Sequence, residues 1–180
     1  MTIEYKWLPF ELNPQMPEEG KNRKEYRSHK FGSWERSLKL DAQVKAAGKP
    51  DNINFRHDLM TRTPNTLKAH RITWLAAKEG KATSLAERIL RGYFLEGKDI
   101  GDVKTLVALA SEIGMDATKV SAFLTTNEGT NEIQSIEMEN SLRGIQGVPF
   151  ITIGNQGISG AQHVRVFAAA IREAITQGIT

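Results

Sequence analysis

Hydrophobic and polar residues alternate at the beginning of the chain, and a short apolar run recurs before its end. Ile3, Tyr5 and Trp7 alternate with charged residues, and this period of two predicts a β-strand over residues 2–10. Near the end, "VPFITIG" is rich in β-branched residues, "NQG" predicts a turn and "IS" predicts a brief second strand. The pattern therefore predicts an initial strand and, much later, a β-hairpin.

The spacing of apolar residues between these strands is that of amphipathic helices. Gly32 divides a first helical stretch that ends at Gly48, and Pro64 suits the first turn of the next helix. The later segments are "SLAERILRGYFLEG", "DVKTLVALASEIG", "DATKVSAFLTT" and "NEIQSIEMENSLRG", and a last helix, "AQHVRVFAAAIREAITQG", follows the hairpin. The chain is therefore predicted to be α/β, with a mostly helical block over residues 21–143.

Composition and charge exclude several classes of protein. The 180 residues carry a net charge of +3, too small for the basic footprint of a nucleic-acid-binding protein. No apolar segment approaches the ~20 residues that a membrane span needs, and the first residues lack the layout of a signal peptide. We therefore expect a cytoplasmic protein with no nucleic-acid or membrane partner.

The most restrictive feature of the composition is the absence of cysteine. Without cysteine the chain has no disulfide, no thiolate nucleophile and no Cys-x-x-Cys redox pair. The four histidines, at positions 29, 57, 70 and 163, do not have metal-ligand spacing, so no metal site is expected. We expect the ring of His70 to be packed and hydrogen-bonded, with a role facing the substrate as the alternative.

Two further groups of residues have a structural and a functional interpretation. The stretch "KNRKEYRSHK" is either an anion-binding patch or a solvated helix face, and its single aromatic residue and Glu25 favour the solvated face. Trp7, Trp34 and Trp74 are expected in the core, because large aromatic side chains dominate the packing of small proteins.

Pro149 stands at the start of the predicted hairpin, in the stretch "GVPFITIGNQGISGAQ". A proline tolerates the start of a strand because it lacks the N–H that an interior position donates. If the Val148–Pro149 bond were cis, the N–H and C=O of Val148 would be free to capture an extended peptide by β-type pairing. Such a site would suit a thiol-containing peptide or glutathione, whereas a trans bond would merely begin a strand.

Five motifs occur in order along the chain: "WLPFELNPQMPEEG", "TPNTLKAHR", "GYFLEGKDIGD", "GVPF" and "SGAQ". Together they resemble the FrnE-like branch of the DsbA family of thioredoxin-fold protein-disulfide oxidoreductases. That branch is related to the kappa-class glutathione transferases and the 2-hydroxychromene-2-carboxylate isomerases. The resemblance implies a thioredoxin-like fold over residues 1–20 and 144–180, interrupted by an all-helical insertion over residues 21–143.

The resemblance also assigns candidate substrate-binding residues. Val148 and Pro149 match the family's cis-proline loop, which binds the backbone of the substrate. Ser159, Gly160 and Ala161 match the junction between hairpin and helix, which holds the γ-glutamyl end of glutathione in the relatives that use it. A helix amino terminus there would attract a carboxylate. Asn13 matches a polar residue after the family's second strand.

The chain differs from the family in the segment that carries the catalytic cysteines. Members carry a strand and a Cys-x-x-Cys helix, about 30 residues in all, before the strand that ends in "PFELNP". Here Met1 falls almost on that later strand, so no catalytic residue is assigned. The chain is expected to be a truncated oxidoreductase, the result of a misassigned start, or a natural variant, and in each case redox-inactive as it stands.

The alternatives are a non-catalytic protein that binds glutathione or a peptide, and a glutathione-dependent isomerase. Exposed sheet edges also make a homodimer an expectation.

Overall fold

The computed structural model describes residues 3–178 and divides into two compact units. One unit extends to Ser135 and the other begins at Ile136. The elements of the first unit are β1 (Lys21–Asn22), α1 (Arg23–Phe31), α2 (Trp34–Gly48), β2 (Arg62–Thr63), α3 (Leu67–Lys78), α4 (Ala82–Glu96), α5 (Val103–Glu112) and α6 (Ala117–Leu124). Helix α7 (Thr130–Leu142) crosses the boundary, and β3 (Phe150–Ile153), β4 (Gln156–Ser159) and α8 (Val164–Thr176) follow it.

Local signals in the sequence set most of the helix ends. Gly32 ends α1 with a φ of 87°, a left-handed conformation that only glycine adopts without strain. The Ser33 side chain then accepts a hydrogen bond from the N–H of Arg36 and begins α2. Asp102 and Asp116 begin α5 and α6 in the same way. The predicted division at Gly32 is therefore confirmed, and Asp116, the first residue of the predicted segment "DATKVSAFLTT", caps its helix.

The core of the first unit lies between its later helices. Helix α3 packs on α4, α4 packs on α5, and α5 packs on α6. Five side chains there are completely buried or almost so: Ile72, Leu85, Leu106, Leu109 and Val120. Burial of such a side chain contributes about 1.5–3 kcal/mol, so this apolar cluster is the main source of stability in the unit.

The second unit is a β-hairpin with a helix packed on it. Strands β3 and β4 pair antiparallel, with Phe150 opposite Ser159 and Ile153 opposite Gln156. The two-residue turn between them begins at Gly154, whose φ of 55° suits the first position of a hairpin turn. Helix α8 packs on β3, and Ile158 and Ala170 are the buried apolar residues of the hairpin and the helix.

The predicted strand over residues 2–10 is wrong for the residues that the structure describes. Residue 2 lies outside them, and residues 3–12 form neither helix nor strand. An extended segment becomes a strand only when another strand supplies hydrogen-bond partners. In the described part of the chain, β1 pairs with β2 and β3 pairs with β4, so neither sheet has a strand that pairs with residues 3–12.

Two predicted boundaries are also wrong. Pro64 lies outside α3, because β2 ends just before it and Thr66 is the residue that precedes the helix. The turn of the hairpin lies at residues 154–155 rather than at "NQG", since Gln156 and Gly157 already pair in β4. The block over residues 21–143 also contains a small sheet, formed by β1 and β2. Its assignment as an insertion stays a prediction.

Two expectations about side chains are corrected. Trp7 is 43% exposed and donates from Nε1 to Oγ1 of Thr83 at 3.0 Å, so it is not a core residue. Trp34 and Trp74 are partly buried. In the basic stretch, Arg23 is only 3% exposed, so this residue does not belong to a solvated helix face.

Candidate functional site

Two features of the backbone characterise the start of the hairpin. The Val148–Pro149 peptide bond is cis. The carbonyl of Pro149 accepts a hydrogen bond of 2.8 Å from the N–H of Gly160, directly beyond the pair formed by Phe150 and Ser159. Gly160 has a φ of 81°, which a residue with a side chain adopts only with strain. The chain entering β3 is therefore tied to the chain leaving β4.

Val148, just before this closure, presents unpaired backbone groups. No residue that the structure describes forms a hydrogen bond with its N–H or its C=O. The residue as a whole is 48% exposed. Strand β3 pairs with β4 on one side only, and its other edge has no partner strand in the described chain. An unpaired donor and acceptor beside an open strand edge can pair with an extended peptide.

Ser159, Gly160 and Ala161 do lie between the hairpin and the last helix, but they do not begin that helix. Ser159 is the last residue of β4, and α8 begins at Val164 with His163 as its cap. The Nδ1 of His163 accepts from the N–H of Arg165 at 3.2 Å. The predicted start of the last helix at Ala161 is therefore wrong, because the N–H groups of the first turn belong to later residues. The substrate-binding role of Ser159, Gly160 and Ala161 stays a prediction.

Asn13 lies in the first unit, apart in the chain from the other five candidate residues. Its Nδ2 donates to the hydroxyl of Tyr26 at 3.2 Å, and its carbonyl accepts from the N–H of Met16 at 3.0 Å. The side chain therefore links the loop before β1 to helix α1. This structural use differs from the substrate-binding role that the resemblance implies, and that role stays a prediction.

His70, on α3, is partly buried and hydrogen-bonded to the backbone of Phe10. Burial lowers the pKa of its imidazole to about 4, against an ordinary value of 6.5, and the hydrogen bond to Phe10 opposes this only in part. The ring is therefore neutral near pH 7. The expectation of a packed and hydrogen-bonded histidine is confirmed.

The lowered pKa of His70 predicts a pH dependence of stability. The unfolded chain binds a proton at this residue near pH 6.5, whereas the folded chain does so only near pH 4. Stability is therefore fully present above about pH 6.5 and is lost as the pH falls toward 4, by at most about 3 kcal/mol. We expect urea unfolding midpoints between these pH values to fall less steeply in His70→Gln, which keeps a donor for Phe10 but cannot titrate. Parallel profiles of the two proteins would contradict this.

A buried ionic network joins α1 to α2, and the sequence analysis missed it. Asp41 accepts from Nη2 of Arg23 at 2.7 Å through one oxygen and from Nη2 of Arg27 at 2.8 Å through the other. The Nε of Arg27 also donates to Oγ of Ser37 at 2.6 Å. A signal was present, since the two arginines are four residues apart and Ser37 and Asp41 are four residues apart. Such pairs share one face of a helix.

The described residues hold no candidate metal centre and no helix long and apolar enough to cross a membrane. The chain also has no thiol. What the hairpin offers chemically is hydrogen bonding, through one backbone N–H, one C=O and the edge of β3.

Comparison with known proteins shows to which family the chain belongs. Residues 1–172 match the model of the DSBA-like thioredoxin domain. The chain is 27% identical over 176 residues to the uncharacterized protein YwbO of Bacillus subtilis, covering 95% of this chain and 82% of that protein.

Two solved structures share its fold. A probable DsbA oxidoreductase of Streptomyces coelicolor superposes with a TM-score of 0.82 at 28% identity, over 93% of this chain and 73% of that one. A candidate protein disulfide isomerase of Nitrosomonas europaea gives 0.67 at 12% identity, over 79% and 75%, a likeness of fold alone. The fold is the thioredoxin-like fold of DsbA proteins, rich in helices. The chain belongs to the family of DsbA-like thioredoxin domains.

Proposed function

We propose that this chain is a peptide-binding member of the FrnE-like branch of the DsbA family and that it performs no thiol–disulfide exchange by itself. The observation that carries the proposal is the pair of unpartnered backbone groups of Val148 beside the open edge of β3. An extended peptide would add to this edge as a further strand, through main-chain hydrogen bonds.

The chemical step of the family requires a thiolate that attacks a disulfide sulfur. Because the chain contains no cysteine, none of its residues can form the mixed disulfide. We expect no turnover when the chain alone is added to insulin and dithiothreitol, where an active DsbA-family enzyme precipitates the insulin chains. Catalysed reduction above the dithiothreitol background would contradict the proposal that the chain is redox-inactive.

A peptide fits the hairpin better than glutathione does. Glutathione would need N–H groups at residues 159–161 for its γ-glutamyl carboxylate, but the first N–H groups of α8 lie further along the chain. The N–H of Arg165 is bonded to His163, and so is that of Val166. An extended peptide requires only the edge of β3 and the backbone of Val148. Pairing of two copies through the same edge would compete with the peptide.

The binding test uses an extended peptide as the probe, because the proposed contacts are main-chain hydrogen bonds. We expect alkylated insulin B chain to shift the amide resonances of Val148 and β3 in an isotope-labelled sample, with reduced glutathione as the comparison ligand. Val148→Pro removes one donor and should weaken binding about fivefold, because one neutral hydrogen bond contributes about 1 kcal/mol. Gln146→Pro, in the same exposed loop, is the matched control and should bind as the wild type does.

Three outcomes would overturn the proposed function. One is the absence of saturable shifts at Val148 and β3. The second is equal weakening by Val148→Pro and Gln146→Pro, which would mean that the loop as a whole and not the Val148 donor matters. The third is shifts at the edge of β3 that depend on protein concentration and not on peptide, which would show pairing between copies.

A further inference from the structure

Residues 3–8 form an exposed segment that has the residue pattern of a β-strand but no partner strand. The structure has no turn or bend between residues 3 and 11, and residues 3–8 are all exposed. Within the part of the chain that the structure describes, no backbone N–H or C=O of residues 3–8 forms a hydrogen bond. A row of free backbone groups of this kind is a template for pairing with another strand.

Two contacts hold the later end of this segment on the first unit. Nε1 of Trp7 donates to Oγ1 of Thr83 at 3.0 Å. The ring of His70 is hydrogen-bonded to the backbone of Phe10. Tyr5, which precedes both contacts, is 66% exposed. The segment is therefore anchored to α3 and α4 and presents its earlier residues to solvent.

The order of charged and apolar residues in the segment is self-complementary. Glu4 and Lys6 flank Tyr5, and Ile3 and Trp7 flank these charges. When two copies pair antiparallel with Tyr5 opposite Tyr5, Glu4 of each copy faces Lys6 of the other. In the same register, Ile3 of each copy faces Trp7 of the other. Opposite residues of an antiparallel pair have Cβ atoms about 4.5–5.5 Å apart, so all these pairs are in contact at once.

Neighbouring registers lack this match. Moving one strand by two residues keeps the apolar side chains on one face but places Glu4 opposite Glu4 or Lys6 opposite Lys6, and like charges destabilise a strand pair. Moving it by one residue places Tyr5 opposite a charged residue. Neither Glu4 nor Lys6 forms an ion pair with a residue that the structure describes, so both charges are available to a second copy.

We infer that two copies of this chain associate through residues 3–8 as an antiparallel two-stranded ribbon, with Tyr5 on the twofold axis. A contact of this kind uses the same surface on both copies, so it closes as a dimer and does not extend into a fibre. The paired surface is small, so the dimer is weak and reversible. The inference goes beyond peptide binding at Val148, because it concerns a different segment, in the first unit.

The experiment is sedimentation equilibrium of the full chain at concentrations up to the millimolar range. We expect a monomer–dimer equilibrium for the wild type. Glu4→Lys places like charges in both of the mixed pairs, and so does Lys6→Glu, so each variant should dimerise at least about tenfold more weakly. Both positions are exposed, so neither substitution should change the helical circular dichroism spectrum.

The decisive sample is an equimolar mixture of the Glu4→Lys and Lys6→Glu variants. In a mixed dimer each of these positions faces an opposite charge, so the mixture should recover the association of the wild type. The double variant Glu4→Lys/Lys6→Glu exchanges the two charges and should also dimerise as the wild type does. The matched control is Lys104→Glu, an exposed lysine of α5, which should leave association unchanged.

The inference is overturned if the wild type is monomeric over the whole range or if the mixture associates no better than the single variants. It is also overturned if Lys104→Glu weakens association as Lys6→Glu does. Amide resonances of residues 3–8 that shift with added insulin B chain and not with protein concentration would overturn it too, because the segment would then bind a foreign peptide. Peptide binding at Val148 is read from the resonances of β3, so the two proposals can fail separately.

Discussion

Arg71→Met is expected to lower the free energy of unfolding by about 3–5 kcal/mol, because the carbonyls of Thr126 and Glu128 lose a charged donor and each such hydrogen bond contributes about 1.5–3 kcal/mol. Arg71 is 4% exposed and donates to the carbonyls of Glu128 at 2.8 Å, Thr126 at 2.7 Å and Phe123 at 3.3 Å. Its guanidinium also lies 5.0 Å from the centroid of the Phe123 ring. One side chain on α3 therefore fixes the end of α6 and the loop that follows it.

The measurement for Arg71 is urea unfolding followed by far-ultraviolet circular dichroism, with amide hydrogen exchange in α6 as a local readout. The matched control is Arg91→Met, because Arg91 is 60% exposed and has only a distant pair with Glu87 at 3.8 Å. That control should change stability by no more than about 0.5 kcal/mol. Similar losses in the two variants would refute the assigned role of Arg71. So would unchanged exchange in α6.

Asp41→Ala is expected to cost a similar amount, about 3–5 kcal/mol, because it leaves the buried Arg23 and the partly buried Arg27 without their shared anion. Each carboxylate oxygen accepts from a different guanidinium, so removing one side chain breaks both pairs. Reorganisation of α1 against α2 should follow, since this network joins the two helices. Urea unfolding midpoints and hydrogen exchange in α1 and α2 measure both effects.

The control for Asp41 is Asp58→Ala, which removes an equally short contact, 2.7 Å, from a solvated position. The side chains of Asp58 and Arg56 are 58% and 40% exposed, and a pair of this kind contributes about 1 kcal/mol or less. Equal destabilisation by the two substitutions would contradict the claim that burial makes the Asp41 network important. A stable Asp41→Ala protein with unchanged exchange in α1 would do the same.

The helices were predictable because their signals are local. Gly32 divides the first two helices as predicted, and Gly97 and Asp116, at the end and the start of two predicted helical segments, end α4 and begin α6. Each acts through its own backbone conformation or through a side chain bonded two or three residues away, so no distant residue is needed. The fold family was likewise predictable, since its motifs extend along nearly the whole chain and the family model matches residues 1–172.

The strand at the beginning of the chain was not predictable in the same way. The alternation of Ile3, Tyr5 and Trp7 describes residues suited to a strand, but a strand exists only when another strand pairs with it. No strand of the two sheets in the described chain supplies that pairing. Trp7 therefore remains 43% exposed and bonds to Thr83 instead of entering a core.

The sequence by itself determined where several helices begin and end, the family, and the absence of thiol chemistry. Each of these depends on residue identity or on neighbours within a few positions. Only the tertiary structure decided that Arg23 and Arg27 share Asp41, that Arg71 reaches three carbonyls over 50 positions away, and that Val148 keeps its backbone groups free. These features depend on which segments pack together. Burial then determines whether a charge is solvated or must be paired.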